Sequence, residues 1–577
     1  METMIGRTTR RKRKRGVRVF VFLVILAAIG YYAWTSYLEE RPNSTRITIQ
    51  LEYEHPIVHN GNVTDYGAII DNDEVKLPLP FVQELLGEDI PIYYEESTGT
   101  IIFTTSNKVL QLKTDSLTAH MNQKPYNLTM SAEVVENVVY LPISPITELY
   151  GLQTEFDRTT GYVTALQAGE AIQKGSVVRE KGTYLRTEPS KKSPISADAA
   201  FQSELRIWEE QEGWFLVQTK DGLSGFIDKR HVKLSSIEQI AEAPEEEAYA
   251  SWKVLGSKIN MVWEAVYERK PNPSTIAPMQ GVNVVSPTWF ELVDGKGTIK
   301  GKADPAYVKW AHQQGMQVWA LFSNGFEPDQ TTEALASAES RFFMIQQLLA
   351  FAELYDLQGI NIDFENVYTA DKQNLIQFVR ELTPLLHEQD LVVSIDVTGK
   401  SNSEMWSLFL DRAALGKVVD YMMVMAYDEH WAASPRAGSV ASLPWTERTI
   451  SRILEEDGVP SSKLVLSMPL YTRIWTETPL EDGKVKVSSK AVGMDRVKTI
   501  IAEKKLEPVL DEAAGQHYVE YKENGALNRI WIEDDMSIQA RIALVKKYNL
   551  AGVATWQRAF QTASIWKTID DHLQVRP

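Results

Sequence analysis

Cysteine is absent from this 577-residue chain, and histidine is scarce, with 9 residues. The lack of cysteine excludes disulfide bonds and thiolate metal sites, although large extracytoplasmic domains fold without disulfides. His55, His59 and His120 do not have the spacing of metal ligands, and the sequence contains no zinc or calcium motif. We therefore expect no metal ion and no cofactor.

Basic residues are in deficit, and many of them lie in the first 18 positions. The net charge of the whole chain is −17, so the rest of the chain is more acidic still. An acidic surface repels phosphate backbones, which argues against a nucleic-acid partner. The chain is also too long for a single core, and its ordinary content of apolar and charged residues predicts several globular domains.

One long uncharged run, at residues 19–38, directly follows the basic segment. It is long enough to cross a bilayer. The basic residues before it predict a cytoplasmic tail at 1–18, a transmembrane anchor at 19–38 and an extracytoplasmic remainder. A cleaved signal peptide is the alternative. We favour the uncleaved anchor because the run is longer than a usual signal core and ends in bulky aromatic residues.

The heptapeptide at residues 359–365, Gly-Ile-Asn-Ile-Asp-Phe-Glu, is the most informative motif in the chain. Asn361, Asp363 and Glu365 alternate with apolar residues, which is the period of a strand and places the three on one face. Burying such a row costs free energy unless pairing or chemistry retains it. A polar-faced edge strand is the alternative, but the opposite face is strongly apolar. Acids at the C-terminal end of a strand are typical of catalytic residues in barrel enzymes.

From Ser251 onward the chain alternates strands and helices, which predicts an α/β fold, a (β/α)8 TIM barrel over residues 251–577. The predicted strands are 259–263, 282–286, 317–322, 359–365, 391–397, 418–427, 464–470 and 552–556. The segment 471–532 exceeds what a barrel needs and contains two strand patterns around Asn524-Gly525, a hairpin turn signal. We expect it to form an inserted α+β lobe beside the cleft.

These motifs resemble glycoside hydrolase family 18, the chitinase and N-acetylglucosaminidase family. The family pattern Asp-x-x-Asp-x-Asp-x-Glu falls on Gln358, Asn361, Asp363 and Glu365, and the last two positions match. Gln358 departs at a position that is usually structural, and Asn361 is the amide of the common acid. Two further signatures follow in family order, Met425-Ala426-Tyr427-Asp428 and the tryptophan Trp556 that ends the eighth strand.

The resemblance implies a retaining hydrolase in which the acetamide of the substrate itself attacks. Glu365 would donate the proton to the glycosidic oxygen, since burial and the neighbouring anion Asp363 raise its pKa. Asp363 would hold the acetamide N–H, and Tyr427 would hold its oxygen. Asn361, counted with this catalytic group, would either lessen the charge beside Asp363 or hydrogen-bond Asp363 and hold its rotamer.

The same resemblance implies a set of substrate-binding residues. Trp556 would form the floor under the reacting sugar by stacking. Asp428 would bind sugar hydroxyls or orient its neighbours, and Met425 is counted with this substrate-binding set. Trp289, Tyr471 and Arg473 lie where barrel loops face the site. Ordinary packing is an equal alternative for Trp289, and a surface ion pair is the alternative for Arg473.

Two smaller modules precede the barrel. Residues 45–168 contain a repeat in which Leu77-Pro78 returns as Leu141-Pro142, each copy predicting a strand, a short helix and a hairpin with glycine at its turn. This stretch resembles the N-terminal module of copper amine oxidases, which we interpret as a spacer or binding module.

Residues 172–234 resemble a bacterial SH3-type β-barrel of five short strands that would bury Trp214 and Phe226. That resemblance implies attachment to cell-wall peptides. Residues 235–250, rich in Glu and Ala, predict a solvated linker.

The sequence thus predicts a membrane-anchored extracytoplasmic glycosidase that cuts β-1,4 bonds of an N-acetylglucosamine-containing glycan. Peptidoglycan is the expected polymer, because an anchored enzyme on the outer face meets it first. The Asn-Ile-Asp-Phe-Glu motif also resembles a subgroup from spore-forming bacteria that includes cortex-lytic and sporulation enzymes. A lectin-like binding protein, a chitin-oligosaccharide hydrolase and a wall-tethering scaffold are the alternatives. The presence of Glu365, Asp363 and Tyr427 argues against the lectin.

Overall fold

The computed structural model describes residues 11–47, 51–87, 92–246, 249–251 and 257–573. Contacts divide the chain into two compact units. The first joins residues 1–89 with 128–245, and the second joins residues 90–127 with 246–577. A segment from inside the predicted N-terminal module therefore belongs to the same unit as the predicted barrel.

The N-terminal apolar run forms one helix, α1 (Arg11–Glu40). Its stretch Val17–Tyr37 is long and apolar enough to cross a membrane, and it is not buried within the protein. An anchor and a signal sequence share this length and composition. The first ten residues of the predicted basic tail lie outside the described residues.

The predicted N-terminal module is built of short strands and two short helices. In chain order they are β1 (Pro56–His59), β2 (Asn62–Gly67), β3 (Ile69–Asp71), β4 (Glu74–Pro78), α2 (Leu79–Leu86), β5 (Ile92–Glu95), β6 (Thr100–Thr104), β7 (Val109–Lys113), β8 (Thr118–Met121), β9 (Lys124–Asn127), β10 (Glu133–Val135), β11 (Val138–Pro142), α3 (Ile143–Tyr150), β12 (Gln153–Phe156) and β13 (Val163–Leu166).

The two copies of the repeat fold alike and pair with each other. In each copy a strand runs directly into a short helix, β4 into α2 and β11 into α3. β4 and β11 pair antiparallel with Leu77 opposite Leu141, the same position of the repeat. Each copy then continues into a hairpin whose turn contains a glycine with positive φ, Gly99 in the first and Gly161 in the second. The predicted element order of the repeat is therefore confirmed.

The hairpins of the two copies belong to different units. In the first unit, β12 and β13 form a sheet with β1 and β2. In the second unit, the equivalent hairpin β5–β6 begins a five-stranded antiparallel sheet, β5 to β9. The module predicted at residues 45–168 is thus distributed over both units.

The predicted SH3-like segment is a sheet in the order β16-β15-β19-β18-β17-β14-β20. Its strands are β14 (Ala171–Val177), β15 (Thr183–Arg186), β16 (Ile195–Ala199), β17 (Glu204–Gln211), β18 (Trp214–Thr219), β19 (Ser224–Asp228) and β20 (Val232–Gln239). β20 pairs with β14 as far as Gln239, so the first residues of the predicted linker 235–250 are strand. Residues 247 and 248 of that linker lie outside the described residues.

The core of this segment uses the strand faces opposite to those we predicted. Phe215 and Ile227 are buried in its apolar cluster, whereas Trp214 and Phe226 are only half-buried. Successive strand residues point to opposite faces, so an error of one position exchanges core for surface. The prediction that Trp214 and Phe226 form the core is therefore wrong by one position, since their neighbours Phe215 and Ile227 occupy it.

The predicted TIM barrel is confirmed. Its eight strands are β21 (Ile259–Glu264), β22 (Val284–Leu292), β24 (Gln317–Ser323), β25 (Gly359–Asp363), β26 (Val392–Thr398), β27 (Tyr421–Met425), β28 (Leu464–Pro469) and β34 (Gly552–Trp556), and β23 (Ile299–Gly301) forms a hairpin with β22. Within the described residues these eight strands are parallel, and β21 pairs with both β22 and β34, which closes the barrel. The sixth strand begins later than predicted because the preceding helix extends to Val418.

Helices cover the outside of the barrel. They are α4 (Pro305–Gln313), α5 (Pro328–Ala336), α6 (Ala338–Tyr355), α7 (Lys372–Glu388), α8 (Arg412–Val418), α9 (Leu443–Glu456), α11 (Asp535–Lys547) and α12 (Ile565–Leu573). One large apolar cluster lies between these helices and the outward faces of the strands, and a second lies inside the barrel.

The predicted lobe interrupts the barrel between its seventh and eighth strands. It contains β29 (Tyr471–Pro479), β30 (Val485–Gly493), α10 (Met494–Lys504), β31 (Val509–Asp511), β32 (Gln516–Glu523) and β33 (Ala526–Trp531). The predicted hairpin is β32–β33, and both Asn524 and Gly525 at its turn have positive φ. This conformation is the one that Asn-Gly turns favour in hairpins.

The sheet β5–β9 packs on barrel helices α6 and α7. Ile102 and Val109 belong to the apolar cluster of the barrel and its helices, and the ring of Tyr93 lies 4.8 Å from the Arg341 guanidinium carbon. The Ala338 N–H, at the start of α6, donates a 2.7 Å hydrogen bond to Glu95 Oε2. A carboxylate at a helix N-terminus satisfies an otherwise unpaired donor and opposes the helix dipole.

Replacing Glu95 with alanine should therefore destabilise the barrel. The expected loss is about 1–2 kcal/mol of unfolding free energy, the usual cost of removing a helix cap. Scanning calorimetry of the full chain would measure it as a lowered midpoint for the barrel transition. Glu96→Ala, a change at the exposed neighbouring position, is the matched control. Equal midpoints for the two variants would contradict a capping role for this sheet.

Candidate active site

The predicted catalytic strand is β25, in the middle of the barrel wall. Its first residue is Gly359. A side chain does not fit at this position, because a Cβ there would lie 2.8 Å from Trp319 Cδ1 and 2.8 Å from the Val392 carbonyl oxygen. Ile360 and Ile362 face the surrounding helices. The alternate residues Asn361 and Asp363 consequently lie on the inner face, as the alternation predicted.

Asp363 and Glu365 are held in surroundings that favour their protonated forms. Asp363 is 8% exposed, and its Oδ1 has no hydrogen-bond partner among the described residues. Burial, and then the neighbouring Asp396, raise the pKa of Asp363 well above its usual range. Burial, Asp363 and Asp428 do the same for the pKa of Glu365. Glu365 therefore meets the requirement for a proton donor near neutral pH.

Asn361 does not make the hydrogen bond to Asp363 that we considered from the sequence. It is fully buried, and its Nδ2 donates to Asp396 Oδ2 at 2.7 Å. Ser394 Oγ donates to Asn361 Oδ1 at 2.6 Å. The reason is the strand register, because Asn361 lies opposite Ser394 on the adjacent strand β26. The amide thus connects β25 to β26.

Asp396 is a site residue that our sequence reasoning missed. It lies on β26, is 3% exposed, and has a pKa raised well above its usual range by burial, against which the Asn361 hydrogen bond acts. Glu365 adds a like charge that raises this pKa further. A signal was available, since Ser394, Asp396 and Thr398 alternate with valine and isoleucine in the way the residues of β25 do.

Asn324 is a second residue that we missed, and it holds the backbone of Glu365. The Glu365 N–H donates to Asn324 Oδ1 at 3.1 Å, and Asn324 Nδ2 donates to the Glu365 carbonyl at 2.8 Å. Asn324 is fully buried, and Nδ2 also donates to Thr331 Oγ1 at 2.9 Å. It follows β24, the neighbouring strand, so it fixes the position where β25 ends. A single asparagine after a strand gives no distinctive sequence signal.

Asp428 joins the barrel to the inserted lobe. Tyr471 Oη donates to Asp428 Oδ1 at 2.6 Å, and Arg473 Nη2 donates to the same oxygen at 3.1 Å. Both partners lie on β29, the first strand of the lobe. Asp428 has a φ of 59°, and its side chain is 41% exposed. The structure therefore brings these three predicted residues together, with the carboxylate at the mouth.

Tyr427, next to Asp428, is half-buried beside the acids. Burial raises its pKa, and Asp396, Tyr471, Glu365 and Asp363 add to the effect, in that order. Tyr427 therefore keeps its hydroxyl proton and remains a donor. Its ring also meets that of Tyr471 edge-on at 6.3 Å.

Trp556 and Met425 end their barrel strands and are both half-buried. Trp556 packs on the apolar cluster inside the barrel, with its ring centroid 6.0 Å from that of Trp263. Part of the indole is left accessible at the C-terminal end of the barrel, where a sugar ring could stack on it.

Trp289 is not at the site, so this substrate-binding prediction is wrong. It is 1% exposed and packs edge-on against Tyr307 at 5.7 Å. It belongs to the cluster between the barrel and its helices. The packing alternative that the sequence left open is the one observed, because β22 continues to Leu292 and turns this residue outward.

A metal site is not apparent in the described part of the chain. There, no group of three or more His, Asp or Glu residues is arranged to hold a metal ion.

Three family models match the chain. Glycosyl hydrolases family 18 matches residues 284–560, the copper amine oxidase N-terminal domain matches residues 58–165, and the bacterial SH3 domain matches residues 181–233. The first covers most of the barrel and the inserted lobe, and it includes Asn324, Glu365, Asp396 and Trp556.

Several curated proteins are similar to the barrel region. The uncharacterized glycosylase YvbX of Bacillus subtilis is 26% identical over 302 residues, which cover 50% of this chain and 84% of YvbX. The putative sporulation-specific glycosylase YdhD of Bacillus subtilis is 29% identical over 241 residues, 41% of this chain and 55% of YdhD. The cortical fragment-lytic enzyme of Bacillus anthracis is 25% identical over 295 residues, 48% of this chain and 65% of that protein. The chain thus spans less than two thirds of the last two.

Among solved structures, a chitinase from Chromobacterium violaceum is 22% identical with a TM-score of 0.49, over 56% of this chain and 100% of that one. The family models, the barrel and the curated relatives together support a glycoside hydrolase. Its barrel matches glycosyl hydrolases family 18 over residues 284–560, and the parts before the barrel match the copper amine oxidase N-terminal domain and the bacterial SH3 domain.

Proposed function

We propose that this chain is a wall-facing glycosidase that hydrolyses β-1,4 bonds on the reducing side of N-acetylglucosamine in peptidoglycan, with retention of configuration. The observation that carries the proposal is the pair Asp363 and Glu365, two positions apart at the end of β25, both with raised pKa values. The named activities of relatives, a cortical fragment-lytic enzyme and a sporulation-specific glycosylase, support a wall glycan as substrate.

In this mechanism Glu365 protonates the glycosidic oxygen. Its raised pKa keeps the carboxyl protonated to higher pH than usual, so turnover should fall as pH rises through that pKa. Asp363 accepts the acetamide N–H and stabilises the positive ring formed when the acetamide oxygen attacks the anomeric carbon. The Tyr427 hydroxyl donates to that acetamide oxygen and fixes the line of attack.

The remaining residues bind and orient the glycan. The accessible part of Trp556 stacks under the reacting sugar, since the apolar face of a pyranose packs on an indole. Asp428 has an exposed carboxylate that Tyr471 and Arg473 hold in place, so it accepts hydrogen bonds from sugar hydroxyls. We infer that the inserted lobe, which supplies those two residues, forms one wall of the cleft.

The other modules would hold the enzyme at the membrane and the cell wall. We propose that α1 anchors the chain in the membrane with its basic end in the cytoplasm, because basic residues are retained on that side. The SH3 domain would bind cell-wall peptides, which would hold the barrel near its polymer.

The substrate is tested by digesting purified peptidoglycan with the detergent-solubilised full chain. Mass spectrometry after borohydride reduction should find fragments that end in reduced N-acetylglucosamine. Glu365→Gln keeps the shape of the side chain but cannot donate a proton, so it should release about 10²- to 10⁴-fold less while still binding the glycan.

Proton NMR early in the reaction should show the β-anomer, as retention requires. Fragments from chitin oligosaccharides but not from peptidoglycan would favour the chitin-oligosaccharide alternative. If the wild-type chain and Glu365→Gln both bound the glycan and neither released fragments, the lectin-like alternative would be favoured.

The two hydrogen bonds between Asn324 and the backbone of Glu365 generate a second prediction. Asn324→Ala would leave the Glu365 N–H and carbonyl without these partners, so the proton donor would shift from its position. We expect kcat to fall about 10- to 100-fold with a smaller change in KM, since small misplacements at a reacting group are costly. Asn366→Ala is the matched control, because Asn366 donates to the Phe326 carbonyl of the neighbouring loop instead. Equal kcat values for both variants would remove Asn324 from the mechanism.

The anchor generates a topological prediction. Protease added to intact protoplasts should digest the chain beyond Glu39 and leave the basic tail protected. Permeabilised protoplasts, in which the tail is also digested, are the control. A protected barrel, or a mature N-terminus that begins after Ser36, would be incompatible with an uncleaved anchor.

A further inference from the structure

Asp396 and Asp363 lie side by side on the inner face of the barrel. In the parallel register of β25 and β26, Asn361 is opposite Ser394 and Ile362 is opposite Ile395. The register ends there, and one further step of it would put Asp363 opposite Asp396, on strands separated by about 4.8 Å. In agreement, after burial it is the neighbouring charge of Asp396 that raises the pKa of Asp363. The two carboxyl groups are 8% and 3% exposed, and each has an Oδ1 without a hydrogen-bond partner among the described residues.

The charged groups that act on this pair are acids. Glu365 on the same strand end acts on Asp396, and Tyr427, from the loop after β27, faces both carboxyl groups. Asp428 acts on Glu365, and the guanidinium of Arg473 binds Asp428 at 3.1 Å. Two buried carboxylates without a cation between them cannot both ionise at neutral pH. The pair therefore retains one proton and titrates as a coupled unit.

The hydrogen bonds make the two members of the pair unequal. Asn361 Nδ2 donates to Asp396 Oδ2 at 2.7 Å, which stabilises the anion of Asp396. The orientation of that amide is set by Ser394, whose hydroxyl donates to Asn361 Oδ1 at 2.6 Å. At rest the charge consequently lies on Asp396, and the proton lies on Asp363.

We propose that Asp396 is the proton acceptor for Asp363. When positive charge develops on the sugar, the proton of the Asp363 carboxyl moves to the Asp396 carboxylate, which leaves Asp363 as the anion beside the ring. One O–H bond breaks and one forms, and the net charge of the pair does not change. This proposal rests on the proposed function. Asp396 acts through Asp363 and is a positioning residue.

The arrangement also explains why an amide is tolerated at position 361. The pattern that β25 resembles has an acid there, and in this chain the acid is supplied by the neighbouring strand while Asn361 becomes its donor. The acid and the amide form a hydrogen-bonded pair across two strands. Exchanging them should keep one carboxylate, one amide and the donor Ser394 in place.

The test uses Asp396→Asn, Asn361→Asp and the double exchange of the two. In Asp396→Asn the proton acceptor is lost, so Asp363 must release its proton to solvent before its anion can form. Because Asp396 is the more acidic member of the pair, we expect the acidic limb of the kcat/KM profile to move to higher pH by about one unit, the scale of a coupled pair. Asn361→Asp adds a buried like charge and should move this limb to higher pH. The double exchange should return the profile toward wild type and recover most of the kcat lost in either single variant.

A purely structural role predicts different results. An unmoved acidic limb in Asp396→Asn, or a double exchange that is no better than the single variants, would overturn the proposal. Unfolding midpoints of the variants would identify a loss of activity that results only from lost stability.

A second measurement does not depend on turnover, so it separates this proposal from the proposed function. In full-length Glu365→Gln, the infrared carbonyl band of protonated carboxyl groups is followed against pH. Adding Asp396→Asn should move the loss of part of that band to lower pH. If the band were unchanged by Asp396→Asn, the pair would not share a proton. If the band moved but the wild-type chain did not cut peptidoglycan, the shared proton would stand and the proposed substrate would fail.

Discussion

The constraint on which the candidate active site depends is the burial of carboxyl groups in the barrel, where the described residues place no cation against Asp363 or Asp396. Asp363, Asp396 and Glu365 come from two neighbouring strands, and each raises the cost of charge on another. Protons must therefore be kept at this site near neutral pH, which is what general-acid chemistry needs. The buried amides of Asn324 and Asn361 fix the acids without adding charge.

Three other buried acids of the second unit are each paired with an arginine. Glu381 receives two hydrogen bonds from Arg341, at 2.9 and 2.8 Å, and both side chains are fully buried. Glu533 is paired with the equally buried Arg541, and Glu264 with Arg558. Three buried acids of this unit thus have an arginine partner. Asp363 and Asp396 have no such partner in the described part of the chain, which is the kind of surroundings in which perturbed pKa values make residues candidates for a functional site.

The barrel and the centre of the site could be predicted from sequence because their signals are local. Alternation within one strand places Asn361, Asp363 and Glu365 on one face, and a turn signal such as Asn524-Gly525 specifies its own hairpin. The partners on neighbouring strands depend on the register between the strands, which cannot be read from the pattern of a single sequence. Asp396 had the same alternation as the catalytic strand, yet only the pairing of β25 with β26 places it beside Asp363.

Errors elsewhere had the same origin. Trp289 was expected at the mouth of the barrel from its position after a predicted strand. The strand instead continues to Leu292, and Trp289 lies on its outward face, in the cluster between the barrel and its helices. Trp214 and Phe226 were expected inside the SH3 domain as the core of its short strands. In strands this short the apolar residues are adjacent, so composition does not reveal which face is inward.

The sheet β5–β9 shows that sequence order does not reveal which segments fold together with the barrel, because residues 90–127 belong to its unit although they precede it by more than 100 residues. Its hairpin β5–β6 corresponds by repeat to β12–β13, so the sequence assigns both to one module. Its apolar residues Ile102 and Val109 nevertheless complete the core of the barrel and its helices, and its Glu95 holds the start of α6. A fragment that began at residue 251 would expose that apolar surface and remove the hydrogen bond of Glu95 to the N-terminus of α6. The N-terminal module is therefore more than a spacer, because part of it belongs to the folded body that carries the acids.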